Sequence, residues 1–188
     1  MKAVFYSGIL KDANLTTSDK LVYCQILYRS MWDDPSETFE KDGTFAIPDN
    51  LLQCAPISRF ITASVCDCIN IGRRQYFNSL KHLREVGLID PPDEYSDTGS
   101  INIPDGLFNS EYFEIRTDTT LTGLSLIVYS YLWYKSKKYG WIDKNHEAMA
   151  NELSMERTHL EHILSKLNKG GFIMFRYKNR QRLIHPTI

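Results

Sequence analysis

The chain repeats itself, and that constrains its fold more than any other feature. Leu15-Thr16 recurs as Leu121-Thr122, Val22-Tyr23 as Val128-Tyr129, and Tyr28-Arg29-Ser30 as Tyr134-Lys135-Ser136, all at an offset of 106 residues. A second series runs at an offset of 84. It pairs Arg73 with Arg157, Tyr76 with Leu160, Leu80 with Leu164, Leu83 with Leu167, and Gly87-Leu88-Ile89 with Gly171-Phe172-Ile173. Fixed-offset self-similarity marks a duplicated supersecondary unit. The change of offset gives the first copy 22 additional residues between its first and last helices. That insertion falls within residues 31–69, where the acidic loop Asp33 to Gly43 and a longer middle helix are its expected content.

Both copies present the same order of local signals. A Thr able to cap a helix precedes an amphipathic run, as in Leu21, Val22, Ile26 and Tyr28. A short strand follows (Thr44 to Ile47; Trp141 to Ile142), then a second helix (Ser58 to Cys68; His146 to Leu153). After a tight turn comes a third helix, Arg73 to Val86 or Arg157 to Lys169, ended by Gly87 or Gly171 in the left-handed cap position. The second copy closes with a hairpin in which Phe172 to Tyr177 and Arg182 to His185 flank the polar Lys178-Asn179-Arg180-Gln181. In the first, Ile101-Asn102-Ile103 is the expected returning strand. Helix, strand, helix, turn, helix, hairpin is the order of a winged helix. The expected fold class is therefore mainly α with small β-hairpins (α+β), as two tandem winged helix-turn-helix domains over residues 1–105 and 106–188. The boundary lies in the Pro-, Gly- and Asp-rich stretch 90–110, and Tyr112 to Ile115 corresponds to the Tyr6 to Ile9 region at the start of the first copy.

Bulk properties remove some classes of function. No stretch reaches the ~18 consecutive apolar residues of a membrane helix. Met1 to Leu10 reads as a strand and a turn rather than a signal peptide, because Lys11 and Asp12 interrupt the run and no small-residue cleavage site follows. A cytoplasmic protein without membrane contact is the expectation. Cys54, Cys66 and Cys68 lack zinc-knuckle spacing; these three and Cys24 read as buried thiols. The net charge of −1 conceals strong polarity. Residues 90–120 carry eight acids against Arg116 alone, whereas residues 157–182 carry seven bases against Glu161 alone.

The segment Ile71-Gly-Arg-Arg-Gln-Tyr-Phe-Asn-Ser-Leu-Lys-His-Leu-Arg-Glu-Val-Gly-Leu-Ile89 resembles the third helix of winged-helix replication initiators and replisome organisers of plasmids and phages. Leu15 to Tyr28 is similar to the start of their first helix. The second copy, Met155 to Ile173, keeps the apolar pattern but carries Glu156 where these families usually have a small capping hydroxyl. The resemblance implies a DNA-binding fold in replication initiation or in transcription regulation, since transcription regulators share the same helix pattern.

A recognition helix lies in the major groove with its N-terminal residues at base edges. With Tyr76, Leu80 and Leu83 turned to the core, Arg73, Arg74, Phe77, Asn78 and Lys81 face outward. Arg suits guanine, while Asn78, with Gln75 beside it, suits adenine. Gly72 at the helix start lets backbone amides approach a phosphate. In the second copy the outward set is Arg157, Thr158, His159, Glu161, His162 and Lys166, where Glu161 repels phosphate. The wing residues Arg176, Lys178, Arg180 and Arg182 supply clustered positive charge for the DNA backbone. The bland alternatives are a solvated helix face and a sheet edge protected by cations.

Catalytic signatures are missing. His159 and His162 have no carboxylate at metalloprotease spacing, and there is neither a Gly-rich phosphate loop nor a nucleophile elbow. Trp32, Tyr129, Tyr131, Trp133 and Trp141 read as core aromatics. The expected function is a non-enzymatic protein of a plasmid, phage or other mobile element that binds duplex DNA sequence-specifically, without cofactor or metal. The alternative is a protein-interaction module that docks, or self-associates, through the second winged helix or the acidic linker.

Overall fold

The structure is a computed structural model and describes residues 4–32, 62–90, 100–110, 112–143, 145–178 and 181–187. In chain order the first half contains β1 (Val4–Tyr6), a 3-10 turn (Ser7–Lys11), α1 (Thr17–Trp32), α2 (Thr62–Ile69), α3 (Arg73–Glu85), β2 (Ile89–Asp90) and β3 (Ser100–Ile101). A second 3-10 turn (Leu107–Asn109) leads into β4 (Tyr112–Glu114), α4 (Gly123–Tyr139), α5 (His146–Glu152), α6 (Arg157–Lys169), β5 (Ile173–Lys178) and β6 (Gln181–Pro186). The result is a mixed α/β structure, with helices and three two-stranded antiparallel sheets among the described residues.

The first helix begins with a reciprocal cap. Thr16 Oγ1 accepts the Asp19 amide at 3.2 Å, and the Asp19 carboxylate accepts the Thr16 amide at 2.8 Å. Each side chain satisfies a donor the helix end would otherwise leave orphaned. From Leu21 to Leu27 every residue of α1 is buried, so this helix runs through the core rather than along its surface. Its counterpart α4 is equally deep over Leu126 to Leu132. Thr122 precedes α4 at the equivalent place but makes no side-chain cap bond. Where Asp19 closes the first cap, the second copy has Ser125, which has no carboxylate to complete the pair.

The sequence repeat is reproduced bond for bond in the turns. Asn70 and Ser154, equivalent at an offset of 84, both have positive φ, at 53° and 49°. Left-handed conformation is uncommon for residues other than glycine, so its recurrence at matched positions is informative. The Ile71 amide donates to Cys66 O at 3.1 Å, and the Met155 amide to Ala150 O at 3.0 Å. At the far ends of α3 and α6, Leu88 N donates to Leu83 O and Phe172 N to Leu167 O, both at 2.9 Å. These bonds run past Gly87 (φ 74°) and Gly171 (φ 76°), the geometry of a glycine C-cap.

Leu83, Leu160, Ile163, Leu164 and Leu167 are buried in the core with Tyr76, and the half-buried Leu80 packs against it. The chain then enters the hairpins. Ile89 pairs with Ile101 in the first copy, while β5 and β6 pair from Ile173–Pro186 to Lys178–Gln181 in the second. The expected strand at Trp141 and Ile142 reduces to one bridge, Ile142 to Ile184.

The two copies meet along a short ribbon. β1 pairs antiparallel with β4, placing Val4 opposite Glu114, Phe5 opposite Phe113 and Tyr6 opposite Tyr112. Tyr6 and Tyr112 are equivalent at the helix offset of 106, so a residue faces its own repeat. Thr17 and Gly123 are likewise equivalent. A Cβ on Gly123 would lie 3.9 Å from Thr17 Cγ2, where α1 packs against α4. This self-pairing is the geometry of a two-fold interface, contained within one chain.

Cys24, Cys66 and Cys68 are buried, and burial pushes the Cys24 pKa up to about 12. Among the described residues, no helix is long and apolar enough to cross a membrane. The strand expected at Thr44 to Ile47, the acidic loop Asp33 to Gly43, Cys54, Arg180 and the side chain of Trp32 lie outside the described residues.

Candidate nucleic-acid interface

Helix α3 separates its two faces cleanly. Tyr76, Ser79 and Leu83 are buried, whereas Gly72, Arg73, Arg74, Gln75, Phe77, Asn78 and Lys81 are exposed. The apolar spacing drives this division. With the i, i+3 and i+7 positions locked into the core, the residues between them face solvent. Gly72 stands at the N-cap in extended conformation, φ −75° and ψ 153°, with nothing within 4 Å of where a Cβ would sit.

The charged side chains on this face have few partners of their own. Among the described residues Arg73 and Arg74 form no ion pair, and Lys81 reaches Glu85 at 3.7 Å with both side chains largely exposed. Such exposed i, i+4 pairs contribute only about 0.3–0.5 kcal/mol, so Lys81 remains available to another anion. Gln75 differs, because its amide Nε2 donates to Ser18 Oγ, tying the start of α3 to α1.

The position of α3 is fixed from beneath. His82 Nδ1 lies 2.8 Å from Asp19 Oδ2, the oxygen that also caps α1. Burial raises the Asp19 pKa, but hydrogen bonds from Ser79, Thr16 and His82 outweigh it and hold the carboxyl below its ordinary value. An ionised carboxylate is an acceptor only, so the His82 ring must be the donor. The Tyr23 hydroxyl donates to Asn102 O at 2.8 Å, and the Asn102 side chain donates to Gly87 O at 2.9 Å. Helix, cap and returning strand are thereby fastened together.

The equivalent face of α6 has a different chemistry. Arg157, Thr158, His159, His162 and Lys166 are exposed. Arg157, however, donates from Nε to Glu161 at 2.8 Å and lies 3.8 Å from Glu147. His146 Nδ1 reaches the same Glu161 oxygen at 3.2 Å. The hydrogen bond to Arg157 holds Glu161 below the ordinary carboxylate range, with His146 adding to it. Glu161 thus occupies Arg157, the cation equivalent to Arg73. Its partner Glu147 and His146, on α5, were not among the residues the sequence singled out. The i, i+4 spacing of Arg157 and Glu161 was the legible signal.

In the C-terminal hairpin Arg176 and Lys178 are exposed. Arg182 is half-buried, with its guanidinium carbon 3.4 Å from the Phe175 ring centroid. The hairpin therefore offers two solvent-facing cations among its described residues, while Arg182 lies over the ring of its own sheet. Tyr177, opposite Arg182, is the most exposed large apolar side chain described, at 70%.

No match to this chain was found among protein-family models, curated protein sequences or solved structures.

The aromatics expected in the core divide into two groups. Tyr129 and Tyr131 are fully buried. Trp133 is half-buried between cations, with Lys137 Nζ 3.6 Å and the Arg116 guanidinium carbon 4.0 Å from its ring centroid. Trp141 packs against His185 with centroids 5.0 Å apart.

Proposed function

We propose that this chain is a tandem winged-helix protein that binds duplex DNA, with α3 as the base-reading helix and the β5–β6 hairpin as a backbone clamp. The observation that carries this reading is the solvent face of α3. There Arg73 and Arg74 stand exposed at a helix start without a side-chain cap, and Asn78 and Lys81 are exposed further along the helix, while Tyr76 and Leu83 hold the opposite face in the core. Arginine donors match guanine O6 and N7, and the Asn78 amide can donate to adenine N7 while its oxygen accepts from adenine N6 in the major groove. Arg176 and Lys178 add charge suited to phosphate. The resemblance of Ile71 to Ile89 to plasmid and phage initiators favours replication initiation or transcription regulation in a mobile element. The reading assigns the chain no catalytic step and no cofactor.

A second reading is a protein-docking module. The ion-paired face of α6 favours it there, since Glu161 and Glu147 neutralise Arg157.

A gel shift against random duplex across a salt series decides between them. Each neutralised phosphate contributes about −0.9 to the slope of log K against log salt. Phosphate contacts from Lys81, Lys166, Arg176 and Lys178 together give a slope of about −3.6, or roughly a hundredfold loss between ~50 and ~200 mM salt. Flat and negligible binding rejects the DNA reading and favours protein docking.

A further inference from the structure

Phe77 occupies an unusual position for a large apolar side chain. It is 56% exposed, the most exposed phenylalanine described, in the middle of the cationic face of α3. Its ring is not loose. It meets the ring of Tyr76 edge to face, with centroids 5.6 Å apart, and Tyr76 is itself buried. One edge is therefore anchored while the remainder faces solvent. Leaving such a ring in water forgoes the stabilisation that burial would give, and the core already has Tyr76 and Leu83 on the opposite side.

The equivalent residue in the second copy is Glu161, which captures Arg157. With phenylalanine at this place, Arg73 has no acid one helical turn away to occupy it. Arg73, Arg74 and Lys81 are exposed one helical turn from Phe77 on the same face, with Asn78 exposed next in sequence. A partner suited to this face presents acceptors around a small hydrocarbon group. The major-groove edge of DNA does so at one kind of place, the C5-methyl group of a pyrimidine, flanked by purine O6 and N7 and by phosphates.

We propose that Phe77 is a specificity-determining residue that contacts the C5-methyl group of a pyrimidine in the major groove. This inference rests on the DNA-binding reading above. Phe77 is the fifth residue of α3, on the N-terminal part of the helix that such proteins set against base edges. The methyl belongs to thymine or to 5-methylcytosine, and the two sources are separable by experiment.

Sequences bound by the full chain are first selected from a random duplex pool. Selected duplexes are then remade with deoxyuridine replacing each thymidine in turn, and with 5-methyldeoxycytidine replacing each deoxycytidine. Both series are titrated against the wild type, Phe77→Ala and Phe77→Leu, with circular dichroism confirming that the variants fold. Losing one buried methyl weakens wild-type binding about fourfold. At one position the wild type should therefore prefer the methylated base by about that factor. A thymine-to-uracil loss identifies thymine, and a gain on cytosine methylation identifies 5-methylcytosine. Phe77→Ala should be indifferent to the same change, and Phe77→Leu should retain part of the preference. Wild-type binding that is salt-dependent but indifferent to every methyl overturns this inference and leaves the DNA reading standing. So does an equal methyl preference in Phe77→Ala. Failure to bind any duplex overturns both.

Discussion

The Asp19 carboxylate that caps the first helix also accepts the His82 ring at 2.8 Å, so the start of α1 and the last turn of α3 share one buried anion. Asp19→Ala removes a cap, worth about 1 kcal/mol, and strands buried donors, at about 1–3 kcal/mol. Chemical denaturation near neutral pH should show a combined loss of about 2–4 kcal/mol. The pH dependence follows from the lowered pKa of Asp19. A carboxyl whose folded pKa lies below its unfolded value contributes fully above the ordinary value of 3.8 and loses that contribution as pH falls through the folded pKa. The stability gap between wild type and Asp19→Ala should narrow as pH falls below that range. A gap that persists undiminished well below it contradicts the anchor.

Phe113 is the hinge pin between the two copies. It is 1% exposed, opposes Phe5 in the ribbon, and has ring centroids 5.7 Å from Phe5 and 5.9 Å from Tyr131. Removing a buried phenylalanine ring typically costs about 3–5 kcal/mol. Phe113→Ala should lower stability by that order in urea denaturation. Because Phe5 belongs to the first copy and Tyr131 to the second, the loss should register in both. Tryptophan fluorescence should follow the same shifted midpoint as far-ultraviolet circular dichroism.

What the sequence disclosed follows the range of the forces involved. Helix α6 was legible to the residue, because Leu160, Ile163, Leu164 and Leu167 set a helical period that Gly171 terminates locally. The C-terminal hairpin was legible as two apolar runs about a polar stretch, although Lys178 and Gln181, read as part of that stretch, pair with each other at the ends of β5 and β6. The Tyr6–Tyr112 pairing was not. Three-residue strands are too short to display a period, and nothing local to Val4–Tyr6 names a partner more than 100 residues away. The site divides similarly. The outward face of α3 could be read from spacing, but the contribution of Glu147 and His146 to the α6 face comes from a neighbouring helix. Arg182 over Phe175 is a diagonal cross-strand contact, recoverable once the register is drawn.

Arg73 and Arg157 are the same residue of the repeat in different electrostatic settings, and the difference is measurable. On the DNA-binding reading, Arg73→Ala should cost about 1–3 kcal/mol in duplex affinity and relax the selected sequence. Arg157→Ala should cost much less, because Glu161 already holds its guanidinium. Glu161→Ala should act in the opposite direction. It frees Arg157 and removes a charge that repels phosphate, so affinity should rise several-fold, more at low salt than at high. Equal losses for Arg73→Ala and Arg157→Ala would mean that the ion pair opens on binding and that α6 reads DNA as well.

On the DNA-binding reading, the hairpin separates charge that would meet phosphate from charge that holds the sheet. Lys178 is exposed at the end of β5, whereas Arg182 on β6 lies over Phe175. A cation over an aromatic face contributes about 0.5–2 kcal/mol depending on desolvation, and the aliphatic part of the arginine packs as well. Arg182→Ala should therefore lower the unfolding midpoint by an amount of that order while leaving the salt dependence of DNA binding nearly unchanged. Lys178→Ala should do the reverse, with stability preserved, affinity for all duplexes reduced alike, and the salt slope shallower by about 1. Parallel denaturation and salt titration of the two variants give four numbers with a crossed pattern. A shallower slope for Arg182→Ala as well would place its guanidinium on phosphate rather than on the ring.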